Sequence, residues 1–205
     1  FVQVVVKHDV EDRREGLVAD RVGLGRHFDQ GRFDVVGVRV LVGQDAGDVL
    51  GQSLRLYADH YTPFDAANLP TGEVLAIANT PFDFRMSRPI GAEMPGPGGF
   101  DHNFCLSGPI TATRAGLLRR AADLVDPASG RSLRLWTTEP GVQVYTGAHF
   151  DGSQPGKRGV AYGKYAGVAL ETQVFPDSPN RPQFPSSRLD PGQTYRHVMY
   201  LDVTP

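Results

Sequence analysis

Alternating apolar and polar residues recur in short segments along this chain. The clearest segments are residues 53–58, 132–137, 142–147 and 195–201. A period of two is typical of β-strands with one buried face, whereas helical patterns repeat every 3.6 residues. Proline, glycine, asparagine and aspartate lie between the segments and indicate turns. The pattern therefore predicts an all-β protein made of many short strands.

Residues 115–125 allow two interpretations, a short helix or a strand. Residues 126–131 have the composition of a turn, and the alternating segment 132–137 follows directly. Because two strands joined by a short turn form a β-hairpin, the sequence favours a strand pair here.

A strand over residues 168–175 carries a single carboxylate. Alternation places Val168, Leu170 and Thr172 on one face and Glu171 on the other. Such a carboxylate is solvated, paired structurally, or held for proton transfer, and the strand pattern alone leaves all three interpretations open.

Three further polar residues are candidates for an acid–base site. His60 lies at the end of a strand, Asp101 follows the glycine-rich loop 94–100, and Gln143 lies within an alternating strand. Imidazole titrates near neutral pH, and a half-buried Glu171 carboxylate can act as a base. Each residue also has a structural interpretation: a turn histidine, an aspartate that caps a turn, and an exposed strand glutamine.

Composition and charge exclude several classes of function. The chain has 205 residues and a formal net charge of -2, without a basic patch that would suggest nucleic acid or an acidic membrane surface. It contains no run of 18 apolar residues and no recognisable leader, so we expect a soluble, cytoplasmic protein. Its one cysteine, Cys105, lies in an apolar run and is expected to be a small buried side chain.

Familiar cofactor and nucleophile motifs are missing from the sequence. It has no His or Cys pairs at zinc spacing, no phosphate-binding glycine loop and no Gly-x-Ser-x-Gly nucleophile elbow. We therefore expect no metal and no cofactor, which leaves acid–base chemistry by side chains.

Eight short motifs, in order along the chain, resemble the aldose 1-epimerase (galactose mutarotase) family. They are Tyr-Ala-Asp-His-Tyr-Thr-Pro at 57–63, Pro-Thr-Gly-Glu at 70–73, Thr-Pro-Phe-Asp-Phe-Arg at 80–85, Gly-Gly-Phe-Asp-His-Asn-Phe at 98–104, Thr-Thr-Glu-Pro-Gly-Val-Gln at 137–143, Tyr-Thr-Gly at 145–147, Leu-Glu-Thr-Gln at 170–173 and Phe-Pro-Asp-Ser-Pro-Asn at 175–180. The resemblance implies a large antiparallel β-sandwich. It also implies an enzyme that interconverts the α and β anomers of free hexoses such as galactose and glucose, with an aldohexose as its small-molecule partner.

The resemblance also implies roles for the candidate residues. Glu171 matches the general base and His60 the general acid. Asp101 matches a ligand of sugar hydroxyls, and Gln143 resembles a second one. The alternative is a non-catalytic sugar-binding or pseudoenzyme domain of the same fold. A relative that acts on hexose 6-phosphates is less favoured, because no Arg/Lys cluster lies beside these residues in the sequence.

The resemblance divides the chain in two. Residues 45–205 carry the motifs, whereas 1–44 form an atypical lead-in that does not resemble the family. Members of the family have an N-terminal half with a substrate-binding arginine and a further histidine in an Asn-His-x-x-Phe-Asn-Leu type motif, and neither occurs here. We therefore expect an incomplete sandwich that lacks several strands and part of the site.

Overall fold

Nearly all of the regular structure consists of antiparallel strands. The computed structural model describes residues 2–11, 36–41, 47–153 and 161–204, with short 3₁₀ turns at Ile90–Ala92 and Ser178–Asn180. The strands are β1 (Val2–Glu11), β2 (Val36–Leu41), β3 (Ser53–Leu56), β4 (Ala58–Thr62), β5 (Leu75–Ala76), β6 (Arg88–Pro89), β7 (Asp101–Leu106), β8 (Ile110–Thr113), β9 (Gly116–Val125), β10 (Ser132–Thr137), β11 (Gly141–Tyr145), β12 (Gly167–Gln173) and β13 (Thr194–Thr204).

These strands form two sheets. The seven-stranded sheet has the order β1-β13-β10-β9-β3-β6, with β8 added beside β9. The six-stranded sheet has the order β2-β12-β11-β7-β4-β5. The predicted all-β class is confirmed, and so is the strand interpretation of residues 115–125, because β9 pairs with β10 as an antiparallel hairpin.

The core lies between the two sheets. From the six-stranded sheet it takes Phe104 of β7, Val142 and Val144 of β11, and Val168 and Leu170 of β12. The seven-stranded sheet contributes apolar side chains that pack into the same cluster, among them Leu54, Leu56, Leu124, Leu135, Met199 and Leu201. Since alternate residues of a strand point to opposite faces, the remaining residues of β7, β11 and β12 lie on the outer face of the six-stranded sheet.

A buried polar pair joins the two sheets behind β12. The Thr172 hydroxyl and His197 Nε2 lie 2.7 Å apart, and each side chain is at most 3 % exposed. Thr172 belongs to the six-stranded sheet and His197 to the seven-stranded one. Glu171 directly precedes Thr172 in β12. The contact therefore holds the inner face of the strand at the position next to Glu171.

The chain passes from one sheet to the other at residues 138–140. Glu139 is buried there, and its carboxylate accepts hydrogen bonds from the side chains of Tyr195 and Thr138. Burial raises the pKa of Glu139 in spite of these hydrogen bonds. The pKa of Tyr195 is also raised, first by burial and then by the neighbouring Glu139.

A Glu139→Gln substitution should therefore stabilise the fold in a pH-dependent manner. A carboxyl whose pKa is higher in the folded than in the unfolded state favours folding when protonated, and this contribution is lost as the pH rises through the folded pKa. Glutamine keeps an acceptor oxygen but cannot ionise. We expect E139Q to raise the thermal unfolding midpoint at pH 7.5, and the gain to shrink towards pH 4.

Circular dichroism melts at both pH values would test this expectation. The exposed Glu73→Gln is the matched control for the loss of one negative charge. An E139Q midpoint that is lower at pH 7.5 than that of the unmodified protein would contradict the argument.

Candidate active site

A row of polar side chains crosses the outer face of the six-stranded sheet. The strand register aligns Thr62 of β4 with Asn103 of β7, Asn103 with Gln143 of β11, and Gln143 with Glu171 of β12. Directly opposed residues of antiparallel strands share a face, with Cβ atoms about 5 Å apart. Glu171 and Gln143, which the sequence singles out separately, are therefore immediate neighbours.

The row on one side of this set contains Asp101 and Tyr145. Asp101 pairs with Tyr145, and Tyr145 pairs with Ala169 of β12. Asp101 is two residues before Asn103, so its side chain also lies on the outer face. Both Asp101 and Tyr145 are half-buried.

The row on the other side contains His60. It runs from His60 through Cys105 and Gly141 to Gln173. The register of β4 shifts between Ala58 and His60, which is a β-bulge at Asp59. The bulge allows Ala58 to face the core while His60 is exposed on the outer face.

A hydrogen-bond network connects these rows. Gln143 Nε2 donates to Asp101 Oδ1 at 2.8 Å. Gln173 Nε2 donates to Gln143 Oε1 at 3.0 Å and to Asn103 Oδ1 at 3.3 Å. Asn103 Nδ2 donates to Thr62 Oγ1 at 3.3 Å, and both of these residues are almost fully buried. Five polar side chains from four strands thus form one continuous network.

Three hydrogen bonds hold the backbone at Phe100 and at the N–H of Asp101. The Thr146 hydroxyl accepts from Phe100 N–H at 3.0 Å and donates to the Phe100 carbonyl at 3.2 Å. The Asp101 N–H donates to His102 Nδ1 at 3.1 Å. Burial lowers the pKa of His102, which favours the neutral ring with its proton on Nε2. Gly99 precedes this segment at a φ of +64°, where a Cβ would overlap the Thr146 hydroxyl.

The proline-rich loop after β12 folds back over one end of the outer face. Its Phe175 ring lies over Gly141 and makes an edge contact with Phe184. Arg181 donates to Asp177 at 2.8 Å and to the Pro70 carbonyl at 2.9 Å. The loop is therefore attached to the connection between β4 and β5, and it closes this end of the outer face.

Comparison with known proteins agrees with these features. The family described as aldose 1-epimerase matches residues 41–202. The chain belongs to the aldose 1-epimerase family. It is 40 % identical over 163 residues to galactose mutarotase from Mus musculus, and this match covers 78 % of the chain and 46 % of that relative. It is 33 % identical over 146 residues to aldose 1-epimerase from Haemophilus influenzae, which covers 69 % of the chain and 41 % of the relative.

The fold is also that of solved aldose epimerase structures. A homologue from C. elegans superposes with a TM-score of 0.70 at 20 % identity, covering 98 % of this chain and 56 % of that structure. The predicted epimerase-like β-sandwich is confirmed. The chain spans less than half the length of the two relatives from M. musculus and H. influenzae.

The family site predicted from sequence is assembled only in part. Glu171, Gln143 and Asp101 lie in neighbouring rows on adjacent strands. His60 lies on β4, which is separated from β12 by two strands. Three strand spacings place the backbones of β4 and β12 about 14 Å apart at His60 and Glu171. The catalytic and binding roles of all four residues stay predictions.

Three residues of the network were not predicted from the sequence. Thr62, Asn103 and Gln173 occupy the same face as the predicted residues. Asn103 is two residues after Asp101, and Gln173 is two residues after Glu171. Extending the period of two along β7 and β12 from each candidate would have found both. Cys105 departs from its expected burial in the core: it is half-buried on the outer face, and desolvation raises its thiol pKa to about 12.

An open groove of about 620 Å³ lies elsewhere, at the β6 edge of the seven-stranded sheet. Three of its charged side chains, Asp83, Arg85 and Arg88, are held by local contacts. Arg85 forms a bidentate pair with Asp83, which lowers the pKa of Asp83 to about 2. Arg88 packs on the Phe84 ring and donates to the Asp83 carbonyl. We therefore assign the candidate site to the polar rows of the six-stranded sheet.

The part of the chain that the structure describes shows neither a metal-binding cluster nor a membrane-spanning helix. Over the ranges given above, the side chains of His, Cys, Asp and Glu form no group of three or more that could hold a metal ion. The helical segments in those ranges are too short to cross a membrane.

Gly141→Ala should disturb the site through a steric clash. A Cβ at this position would overlap Asn103 Oδ1 and approach the Phe175 ring to 3.1 Å. Asn103 is fully buried and cannot move without breaking its hydrogen bonds. We expect a loss of about 1–3 kcal/mol in the free energy of unfolding, as in other overpacked sites.

Urea denaturation would measure this loss. Gly51→Ala is the matched control, because a Cβ there meets nothing within 4 Å. Equal stability of the two variants would show that the space above Gly141 is not restricted.

Proposed function

We propose that the chain carries the acid–base site of an aldose 1-epimerase, which interconverts the anomers of free aldohexoses such as galactose and glucose. The supporting observation is the position of Glu171 beside Gln143, which is hydrogen-bonded to Asp101 on the same face of the sheet. A carboxylate beside a donor and an acceptor suits a polyhydroxylated ligand. Membership of the family supports the same reaction.

In the proposed reaction Glu171 removes the proton of the anomeric hydroxyl. The bond between C1 and the ring oxygen breaks, its electron pair passes to the ring oxygen, and C1 becomes an aldehyde. A proton delivered to the ring oxygen completes this step. Rotation about the C1–C2 bond and the reverse proton transfers close the ring on the other face. Asp101 and Gln143 hold sugar hydroxyls throughout.

We propose His60 as the proton donor to the ring oxygen. The ring oxygen and the anomeric oxygen are bonded to the same carbon, so acid and base must reach two neighbouring atoms of one sugar. With the strands about 14 Å apart, His60 and Glu171 can both reach one hexose only if their side chains lean towards each other over Asn103 and Gln143. Among the four proposed roles, the role of His60 therefore places the strictest condition on the geometry of the site.

A second candidate function is sugar binding without turnover. It is favoured by one specific observation: Asp101 and Gln143, the proposed sugar ligands, are joined by a hydrogen bond, whereas His60 is three strand spacings from Glu171. A site with ligands but no aligned acid would bind a hexose and leave its anomers unchanged. A cytoplasmic location stays a prediction for either function.

Polarimetry of freshly dissolved α-galactose and α-glucose distinguishes the two functions. For an epimerase, we expect mutarotation faster than in buffer, and Glu171→Gln to lower the rate by about 10²–10⁴-fold, the contribution of a positioned general base. The exposed Glu73→Gln is the matched control and should keep the full rate. A rate in E171Q equal to that of the unmodified protein would remove Glu171 from the mechanism.

His60→Asn tests the acid separately. If His60 protonates the ring oxygen, this substitution should lower the polarimetric rate by about 10²–10⁴-fold without reducing sugar affinity. Near-normal catalysis by H60N would show that another group delivers the proton.

Asp101→Ala tests sugar binding itself. Saturation-transfer NMR with galactose should show contact in the unmodified protein and in E171Q, and at least a tenfold loss of affinity in D101A. Removing an acceptor that binds hydroxyls leaves those hydroxyls unpaired in the complex. Equal affinity in D101A and the unmodified protein would place the sugar elsewhere on the molecule.

A further inference from the structure

We propose that Gln173 is a positioning residue that fixes the direction of the Gln143 carboxamide, and thereby decides which sugar atoms Gln143 and Asp101 can bind. The inference rests on the proposed function, because it concerns the same site. It is drawn from the donors and acceptors of the network that joins these three side chains.

Gln173 acts as a donor in two directions. Its Nε2 donates to Gln143 Oε1 at 3.0 Å and to Asn103 Oδ1 at 3.3 Å. A carboxamide nitrogen carries two hydrogens, so both are used. Asn103 is fully buried and donates onward to Thr62. Gln173 is thus held from the side of β7 and presents a fixed donor to Gln143.

The direction of the Gln143 carboxamide follows from its two neighbours. Its oxygen faces the Gln173 donor, and one of its N–H groups faces the Asp101 carboxylate at 2.8 Å. The reverse orientation would set an amide nitrogen against another amide nitrogen and an amide oxygen against a carboxylate oxygen. Both contacts would be repulsive, and burial makes unpaired groups costly.

This arrangement leaves a defined pair of groups for a ligand. Gln143 has one N–H without a hydrogen bond to any described residue, and Asp101 likewise has Oδ2. The pair therefore offers one donor and one acceptor on neighbouring strands. A sugar hydroxyl can accept from Gln143 while another donates to Asp101, which suits adjacent hydroxyls of a hexose.

Gln173→Glu is the sharpest test, because it keeps the shape and removes both donors. At neutral pH a carboxylate at 173 can only accept, so Gln143 and Asn103 should turn their N–H groups towards it. Gln143 would then present its oxygen to Asp101, and its remaining N–H would lie on the side of residue 173, away from the Asp101 carboxylate with which it is proposed to bind sugar. Gln193→Glu is the matched control, since its side-chain oxygen accepts from the Asp190 N–H and a carboxylate can still do so.

The first measurement is independent of any sugar. In ¹H–¹⁵N spectra, the side-chain amide resonances of Gln143 and Asn103 should shift in Q173E and stay in place in Q193E. Unchanged resonances in Q173E would overturn the inference, whatever the protein does with hexoses.

The second measurement uses galactose. We expect Q173E to weaken saturation transfer at least tenfold and to raise KM more than it lowers kcat, since a contact made equally in ground and transition states affects KM. Shifted amide resonances with unchanged galactose affinity would overturn the inference. A lack of galactose binding by the unmodified protein would instead overturn the proposed function, while the amide spectra would still decide the orientation.

A double variant tests the direction of the hydrogen bonds by stability. In Q173E the Gln143 oxygen faces a carboxylate at 101, and Asp101→Asn would supply the N–H that this oxygen needs. We expect D101N to lower the melting temperature of the unmodified protein but to raise that of Q173E. If the losses in melting temperature from the two substitutions simply add in the double variant, the proposed direction is contradicted. Stability changes add at independent sites but not at sites that interact.

Discussion

The cross-strand register of β4, β7, β11 and β12 is the constraint on which the site depends. It aligns one polar residue from each strand on the outer face, while Phe104, Val142 and Leu170 point into the core. Because side chains alternate strictly, a slip of one residue would exchange the two faces of a strand. The same apolar burial that stabilises the sandwich therefore also holds the polar row together.

Further contacts add constraints at both ends of these strands. At one end, Thr146 and His102 hold the backbone around Asp101. At the other, Phe175 covers Gly141, and Arg181 attaches its loop to the Pro70 carbonyl. Side chains on paired strands with fixed ends lose little conformational entropy when they bind a ligand, which is the advantage of a preorganised site. The outer face thus presents half-buried polar side chains within a rigid frame.

Much of the fold could be predicted from period-two alternation. It identified strands close to β10, β11, β12 and β13, and it placed Glu171 and Leu170 on opposite faces of one strand. Together with the turn that follows, it also identified residues 115–125 as a strand. Which strands lie side by side could not be derived, because pairing depends on contacts between residues far apart in the chain. The distance between His60 and Glu171 depends on the order of the strands in the sheet, which the alternation of residues within one strand does not determine.

The bulge at Asp59 has a consequence for how this surface can change. Asp59 is held by the Ser107 hydroxyl at 2.6 Å and, through its carbonyl, by the Ile77 N–H at 3.1 Å. The extra residue shifts the alternation of β4, so that Ala58 and Tyr61 face the core while His60 lies on the outer face. Position 60 is therefore exposed on the outer face between β7 and β5, so the residue there can be selected for the chemistry of this face and not for packing in the interior.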